Sequence, residues 1–141
     1  MTAEERNRPE VKVTLDIRGF SCDHSEITRV VRIQPTRLWT RGEIVPRSII
    51  AHKENHWLFD APGYRIETLQ VQVVGLLDLI EPLADNFLKL PSDARTQIYC
   101  AVYDYERSVD LSFTADTVRR AARISAEINV DYINFSVDQL E

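Results

Sequence analysis

The feature that most constrains the fold is a strict alternation of apolar and polar side chains early in the chain. Between residues 11 and 18, every second side chain is apolar: Val11, Val13, Leu15 and Ile17. Successive side chains of a strand point to opposite faces of the sheet, so this pattern predicts a strand with one face on a core and the other in water. Similar alternation predicts strands over 97–104 and 109–114, joined as a hairpin, and over 130–137.

Three segments carry apolar side chains at helical spacing, and they predict helices over 23–32, 68–90 and 115–128. Asp23 suits the N-cap of the first helix, and Glu26 could complete a capping box. Pro82 lies inside the second segment, where its ring and its missing N–H should kink or restart the helix. Thr114 caps the third helix, whose inner face is predicted to carry Val118, Ala121, Ala122 and Ile128.

Less regular strand-like content over 39–45 and 56–59 predicts two more strands joined by a long loop. The predicted order is therefore β-α-β-β-α-β-β-α-β, with a ferredoxin-like beginning. Strands with one apolar face and amphipathic helices pack best as an α+β fold of two layers, a mainly antiparallel sheet with three helices on one face. Residues 1–9 are polar and predict a mobile tail, while residues 10–141 predict a single domain.

Charge and composition exclude several classes of protein. The net charge of −5 disfavours nucleic-acid binding, which needs an excess of cations to replace phosphate counterions. We expect no membrane partner, because no apolar run is long enough for a span. The charged N-terminus lacks a secretory signal, and Cys22 and Cys100 are expected to be free thiols, so the sequence predicts a cytoplasmic protein.

One block of sequence carries a family resemblance. Residues 35–43, Pro-Thr-Arg-Leu-Trp-Thr-Arg-Gly-Glu, resemble the P-T-x-x-W-x-x-G-E signature of the bacterial domain-of-unknown-function 4279 family. The likeness extends from about residue 11 to residue 137 through the pattern of apolar positions. It implies a bacterial protein and brings no catalytic residues. By analogy, small bacterial domains of this sort are sometimes toxin-neutralising immunity proteins or ligand-binding modules.

The strongest functional lead is an uneven distribution of charge. Residues 29–53 contain six basic side chains and one acidic side chain, although the whole chain is acidic. This basic segment could meet an anionic ligand or an acidic partner surface. Alternatively, it is a solvated loop neutralised by the protein's own acids, with Arg37 or Arg41 stacked on Trp39. Trp39 and Trp57 could likewise be interface anchors or core residues.

Other candidate chemistry is weak in the sequence. His52 and His56 share the spacing of one face, but no third metal ligand is near them, so we expect no metal and no cofactor. We find no nucleophile motif and assign no catalytic residue. Tyr99, Tyr103 and Tyr105 should lie on the open sheet face, where they could form a protein-binding or homodimer surface or could pack across strands against Ser112 and Thr114.

We therefore expect a non-enzymatic binding domain, with an immunity-type protein that binds a protein partner as its most concrete form. The alternative is a small anionic-ligand-binding or enzymatic site near residues 39–57. A cleft that encloses Arg37, Arg41 and a Trp ring would favour the alternative, whereas a flat or convex surface there would favour the binding domain. The residues predicted to bind the partner or anion are Arg37, Trp39, Arg41, Glu43, Arg47 and Trp57.

Overall fold

The computed structural model describes residues 9–63, 66–105 and 109–135. The predicted tail lies outside these ranges except for its last residue. The elements are strand β1 (Glu10–Arg18), helix α1 (His24–Val31), strands β2 (Arg37–Trp39) and β3 (His56–Asp60), helix α2 (Leu69–Ile80), a 3-10 turn (Glu81–Leu83), helix α3 (Ala84–Phe87), strand β4 (Arg95–Asp104), helix α4 (Ala115–Arg123) and strand β5 (Ala126–Asn134).

The five strands form one sheet in the order β2-β3-β1-β4-β5, with β1 at its centre. Neighbouring strands are antiparallel except for β4 and β5, which are parallel. The three longer helices, α1, α2 and α4, accompany this sheet and supply buried apolar side chains to one common core. The predicted α+β class with a mainly antiparallel sheet is therefore confirmed.

The core lies between the helices and one face of the sheet. The alternating residues of β1, from Val11 to Ile17, are at most 2% exposed, and Ile98, Cys100 and Val102 of β4 continue the same face. Helix α2 covers this face with a row of fully buried residues: Leu69, Val73, Leu76, Leu77 and Ile80. Burying each such side chain stabilises the fold by roughly 1.5–3 kcal/mol. None of the helices in the described ranges is both long enough and apolar enough to cross a bilayer.

Pro82 divides the predicted long helix, as expected. Helix α2 ends at Ile80, a 3-10 turn contains the proline, and α3 restarts the helix at Ala84. The pyrrolidine ring cannot donate a helical hydrogen bond and clashes with the preceding turn, so the helix must break there.

The start of α1 differs from the prediction. Asp23 occupies the N-cap position with extended backbone, but its side chain accepts no hydrogen bond from the helix. Glu26 instead forms an ion pair with Arg29 one turn along. The predicted capping box is therefore wrong, because Glu26 finds a cationic partner on its own helix face.

The predicted hairpin strand over 109–114 is also wrong. These residues adopt no regular structure, and β5 takes the edge of β4 through the parallel pairing. The side chain of Asp110 accepts hydrogen bonds from the backbone and hydroxyl of Ser112, which bends the segment locally. Val109 and Phe113 still pack against the core. The alternation of apolar and polar residues over 109–114 therefore reflects packing on the core and not pairing with a neighbouring strand.

The last helix is shorter than predicted, and the last strand begins earlier. Helix α4 ends at Arg123 and Ser125 has a positive φ, which turns the chain into β5, so Ile128 belongs to the strand. Val118 and Ala122 are exposed. The inner face of α4 consists of Thr117 and Ala121, and the buried Ile124 follows directly after the helix. Thr114 does cap the helix as predicted, by accepting from the backbone N–H of Thr117. The end of the predicted final strand, over 136–137, lies outside the described residues.

The predicted strand over 39–45 is displaced. Its paired part is β2, which ends at Trp39, and residues 40–55 form a projecting loop. Within this loop, Ile44 and Ala51 make an isolated antiparallel bridge. The turn of this loop is closed by hydrogen bonds between backbone groups, such as the one from Val45 to the carbonyl of Ile50. The predicted strand over 56–59 is confirmed as β3.

Candidate functional site on the open face of the sheet

The sheet face that points away from the helices carries a cavity of about 380 Å³. The side chains that reach it are those of the outward positions of β1 to β4, because side chains alternate between the two faces of a strand. Its walls consist of Lys12, Thr14, Asp16, Arg37, Trp39, His56, Leu58, Gln97, Tyr99, Ala101 and Tyr103. A mostly apolar cavity of this size with several polar groups in its wall is within the range of small-molecule sites.

A chain of hydrogen bonds crosses the floor of this cavity through four strands. Asp16 of β1 accepts from Nδ1 of His56 at 2.9 Å and from Nε2 of Gln97 at 2.7 Å. The Oε1 atom of Gln97 accepts from Nδ2 of Asn129 on β5. Asp16 is only 4% exposed, so its carboxylate depends on these partners. This chain of hydrogen bonds fixes the orientation of the His56 ring.

Trp39 forms the aromatic wall beside His56. Its ring centroid lies 5.2 Å from that of His56 in an edge-on arrangement, and His52 stacks on Trp39 at 4.8 Å. The backbone carbonyl of Trp39 also contacts Nε2 of His24 at 2.8 Å. Aromatic contacts and a backbone contact therefore hold the Trp39 ring in place at the edge of the sheet.

Arg37 reaches the cavity from β2. Its guanidinium forms an ion pair with Asp60 at 2.8 Å, and its Cζ atom lies 5.7 Å from the centroid of Trp39. Asp60 also accepts a hydrogen bond from the hydroxyl of Thr14. The predicted stacking of an arginine on Trp39 thus involves Arg37, and the acid that neutralises this arginine is Asp60.

Two further groups complete the polar lining. Among the described residues Lys12 has no ion-pair partner, which leaves its ammonium available to a ligand. The hydroxyl of Tyr99 donates to Asp131 at 2.9 Å. Burial, together with the hydrogen bond to Asp131, raises the pKa of Tyr99 to about 12, so the phenol keeps its proton at neutral pH.

The projecting loop over 40–55 lies beside the cavity and has a different character. Ile49 is 97% exposed and Ile50 is 64% exposed, and Arg41 and Arg47 are also exposed. Glu43 accepts from the backbone N–H of Thr40, and hydrogen bonds from Thr40 lower the pKa of this carboxyl. Gly42 has a φ of +90°, which a residue with a side chain rarely adopts.

The structure separates the residues predicted to bind a partner or anion into three groups. Arg37 and Trp39 line the cavity, whereas Arg41, Glu43 and Arg47 belong to the projecting loop. Trp57 is fully buried in the core, where its Nε1 donates to the hydroxyl of Thr28. It is therefore inaccessible to a ligand, although the indole of Trp39 is accessible.

Sequence reasoning missed the most ordered part of the site, the pair formed by Asp16 and His56. The alternation over residues 11–18 places Asp16 on the strand face that is predicted to lie in water, and the spacing of His56 from His52 suggests only a metal ligand. The available signal was the strand alternation itself, which places both residues on outward positions, but it could not show that β1 and β3 are neighbours. In the described ranges, no three His, Cys, Asp or Glu side chains are grouped closely enough to hold a metal ion.

These features define an α+β domain with a polar and aromatic cavity on the open face of its sheet. Residues 9–135 match the sequence profile of the family described as "Domain of unknown function (DUF4279)", and the chain therefore belongs to that family. The resemblance predicted from residues 35–43 is thus confirmed. No curated protein and no solved structure matches the chain significantly.

Proposed function

We propose that the chain is a small-ligand-binding domain and that its site is the cavity on the open sheet face. The observation that carries this proposal is the convergence of Lys12, Arg37 and the Trp39 ring on one cavity of about 380 Å³. This is the alternative that the sequence left open. Of the three groups whose enclosure in one cleft would distinguish it, Arg37 and the Trp39 ring line the cavity, and Arg41 lies outside it.

The charges of the lining favour a ligand with a negative group. The basic groups of the wall are Lys12 and Arg37, and its acidic group is Asp16. Asp16 already accepts hydrogen bonds from His56 and Gln97, so it is not free to bind a cation. Lys12 can therefore attract a carboxylate or a phosphate, and the planar guanidinium of Arg37, which pairs with Asp60 through Nη2, has further N–H groups for the same anion.

The remaining walls favour a flat apolar part in the same ligand. Trp39, Tyr99 and Tyr103 present aromatic rings, and Leu58 and Ala101 lie between them. Aromatic rings stack favourably on flat ligands and add contact area at little cost in conformational entropy. The ligand class is therefore a small aromatic or unsaturated acid.

Titration of Trp39 fluorescence tests this proposal with named probes. 1-Naphthoate and phenyl phosphate should change the emission saturably, and neutral 1-naphthalenemethanol should bind at least tenfold more weakly. Lys12→Ala should weaken anion binding by about tenfold, since a hydrogen bond to a charged group contributes roughly 1.5 kcal/mol or more. Arg41→Ala is the matched control, because Arg41 is exposed outside the cavity. Equal effects of the two substitutions would contradict the proposal, as would the absence of saturation.

The second candidate function is binding of a protein partner, as in an immunity-type protein, through the projecting loop. It is favoured by the nearly complete exposure of Ile49 beside the exposed Ile50 and Arg47. Apolar side chains flanked by cations suit a partner with an acidic rim around an apolar recess. The predicted homodimer through the sheet face remains a prediction, and it would close the cavity against ligands.

A partner encoded by a neighbouring gene offers the direct test. A complex with such a protein should be lost on Ile49→Asp and should weaken with increasing salt if Arg47 steers association. Leu88→Asp serves as the control, because Leu88 is also exposed but lies after α3, outside the projecting loop. If both substitutions leave the complex intact, the loop is not the binding surface. Free thiols at Cys22 and Cys100 are compatible with the cytoplasmic setting that this function needs.

A further inference from the structure

We propose that His56 is a general base that moves a proton on the ligand bound in the sheet-face cavity, with Asp16 as its positioning residue. This inference rests on the proposed ligand site and adds a reaction to it. The substrate class is a small, flat, anionic molecule that carries an acidic C–H or O–H group within reach of the imidazole. The reaction class is proton relocation, as in an isomerisation.

The hydrogen bond to Asp16 determines which nitrogen of His56 is the base. An aspartate carboxylate accepts, so the nitrogen that faces it, Nδ1, must carry the hydrogen. In the neutral imidazole the lone pair then lies on Nε2. Within the described part of the chain Nε2 has no hydrogen-bond partner, and it is not among the fully buried atoms. His56 also lines the cavity, which places this basic atom where a ligand can reach it.

The partners of Asp16 make this arrangement rigid. Gln97 donates to the other carboxylate oxygen, and Asn129 donates to the amide oxygen of Gln97, so each amide can be oriented in only one way. Trp39 limits rotation of the His56 ring from the side, at 5.2 Å between centroids. A histidine with a purely structural role on a sheet face does not need this network of hydrogen bonds and the Trp39 contact. A general base does need a fixed ring orientation and a fixed tautomer.

The proposed step is balanced within the substrate and His56. The C–H or O–H bond of the substrate breaks, the Nε2–H bond forms, and the electron pair stays on the substrate. The positive charge of the resulting imidazolium is shared with Asp16 through the Nδ1–H bond. The negative charge on the substrate is stabilised by Lys12 and Arg37, and His56 then returns the proton to a second atom of the substrate. No oxidant, reductant or water is consumed.

The base can be tested with 5-nitrobenzisoxazole, a flat molecule whose ring opening requires only a base. Nε2 takes the ring C–H proton, the C–H electrons form the nitrile, and the N–O bond breaks to give a coloured phenolate. We expect saturable ring opening that falls at least 100-fold in kcat/KM on His56→Gln, within the usual range for loss of a general base. Glutamine can keep the hydrogen bond to Asp16, which protects the fold. Arg41→Ala is again the control, since Arg41 is exposed outside the cavity lining, and it should change the rate less than twofold.

Asp16→Asn tests the positioning role. An asparagine amide can donate to Nδ1 and place the hydrogen on Nε2, so the rate should fall at least tenfold while the fold persists. Two-bond proton–nitrogen NMR correlations should show the shift of tautomer directly.

The outcomes separate this inference from the proposed ligand site. The inference is overturned if His56→Gln, or a folded His56→Asn variant, opens the ring of 5-nitrobenzisoxazole as fast as the wild type does. If 1-naphthoate still binds in that case, the ligand site stands without the reaction. If the histidine variants lose the rate but 1-naphthoate never binds, the anionic substrate class is wrong. A Nδ1 lone pair in the wild-type NMR spectrum would overturn the assignment of the base.

Discussion

The cavity and the projecting loop over 40–55 adjoin at Trp39 but are built in opposite ways. In the cavity, polar side chains are paired across strands, as in the chain from His56 through Asp16 to Gln97. In the loop, the hydrogen bonds that close the turn join backbone groups, and Ile49 and Ile50 extend into solvent. The first arrangement fixes side-chain geometry, and the second fixes only the path of the backbone.

This difference indicates what each region can recognise. Oriented polar groups discriminate among small ligands, because a wrong ligand leaves them unpaired at a cost of about 1–3 kcal/mol each. Exposed apolar side chains on a backbone turn gain free energy from any large surface that covers them. The cavity is therefore suited to a specific small molecule, and the loop to a macromolecular surface.

The largest expected effect distinguishes the two tryptophans. Trp57 is completely buried, so Trp57→Ala should lower the free energy of unfolding by about 3–5 kcal/mol. The half-exposed Trp39 should matter much less, with a loss of roughly 1 kcal/mol on Trp39→Ala. Scanning calorimetry should show a fall of about 10 °C or more for the first variant and a few degrees for the second. Equal falls would mean that the cavity wall is part of the core.

Alkaline pH should destabilise the fold through two neighbouring residues of β4, Tyr99 and Cys100. Burial raises the pKa of the Cys100 thiol to about 12, from an ordinary value of 9.0, and the pKa of Tyr99 is raised to about 12 from 10.0. In this range the unfolded chain loses these protons first, so the stability they contribute is complete below about pH 9 and is lost towards pH 12. Urea midpoints should fall over that interval and fall less steeply in Cys100→Ala. Urea midpoints that do not change between pH 9 and pH 12 would contradict the raised pKa values of Cys100 and Tyr99.

A smaller effect separates the arginines of the two regions. Arg37→Ala removes the ion pair with Asp60, whose side chains are 38% and 31% exposed, and should cost at most about 1 kcal/mol. The double change Arg41→Ala with Arg47→Ala should be neutral within about 0.5 kcal/mol. Chemical denaturation of both variants measures the difference. If the double variant is the less stable, the loop arginines stabilise the fold.

The smallest expected effect concerns the tip of the projecting loop. Ile49 is 97% exposed, so Ile49→Asp should leave the free energy of unfolding within about 0.5 kcal/mol of the wild type. It should also increase solubility, because it removes an exposed apolar side chain. A marked loss of stability would show that the tip packs against the rest of the protein in solution.

The sequence predicted the architecture better than the site because the two depend on different information. The alternation of β1 and the spacing of α2 are local, and they identified both elements and the apolar face of each. Pro82 correctly marked the break after α2, since its effect is confined to one turn. The strand prediction over 109–114 was wrong because an extended segment that packs on a core shows the same alternation of apolar and polar residues as a strand.

The candidate site required knowledge of which strands are neighbours. Asp16 and His56 are far apart in sequence and meet because β1 and β3 pair with Arg18 opposite His56. Nothing local to either residue predicts this pairing. The excess of basic residues over 29–53 drew attention to Arg37 and Trp39, which do line the cavity, but it also drew attention to Arg41 and Arg47, which do not.

The central position of β1 has a consequence for biosynthesis. During synthesis, β1 leaves the ribosome long before β3 and β4. Leu15 can therefore pair with Phe59 on one side and with Ile98 on the other only after those later strands have emerged. During that time both edges of an apolar strand are open to other nascent chains. Such distant pairing also slows folding, because the intervening chain must first be brought together. This protein should therefore depend on chaperones during translation more than its small size suggests.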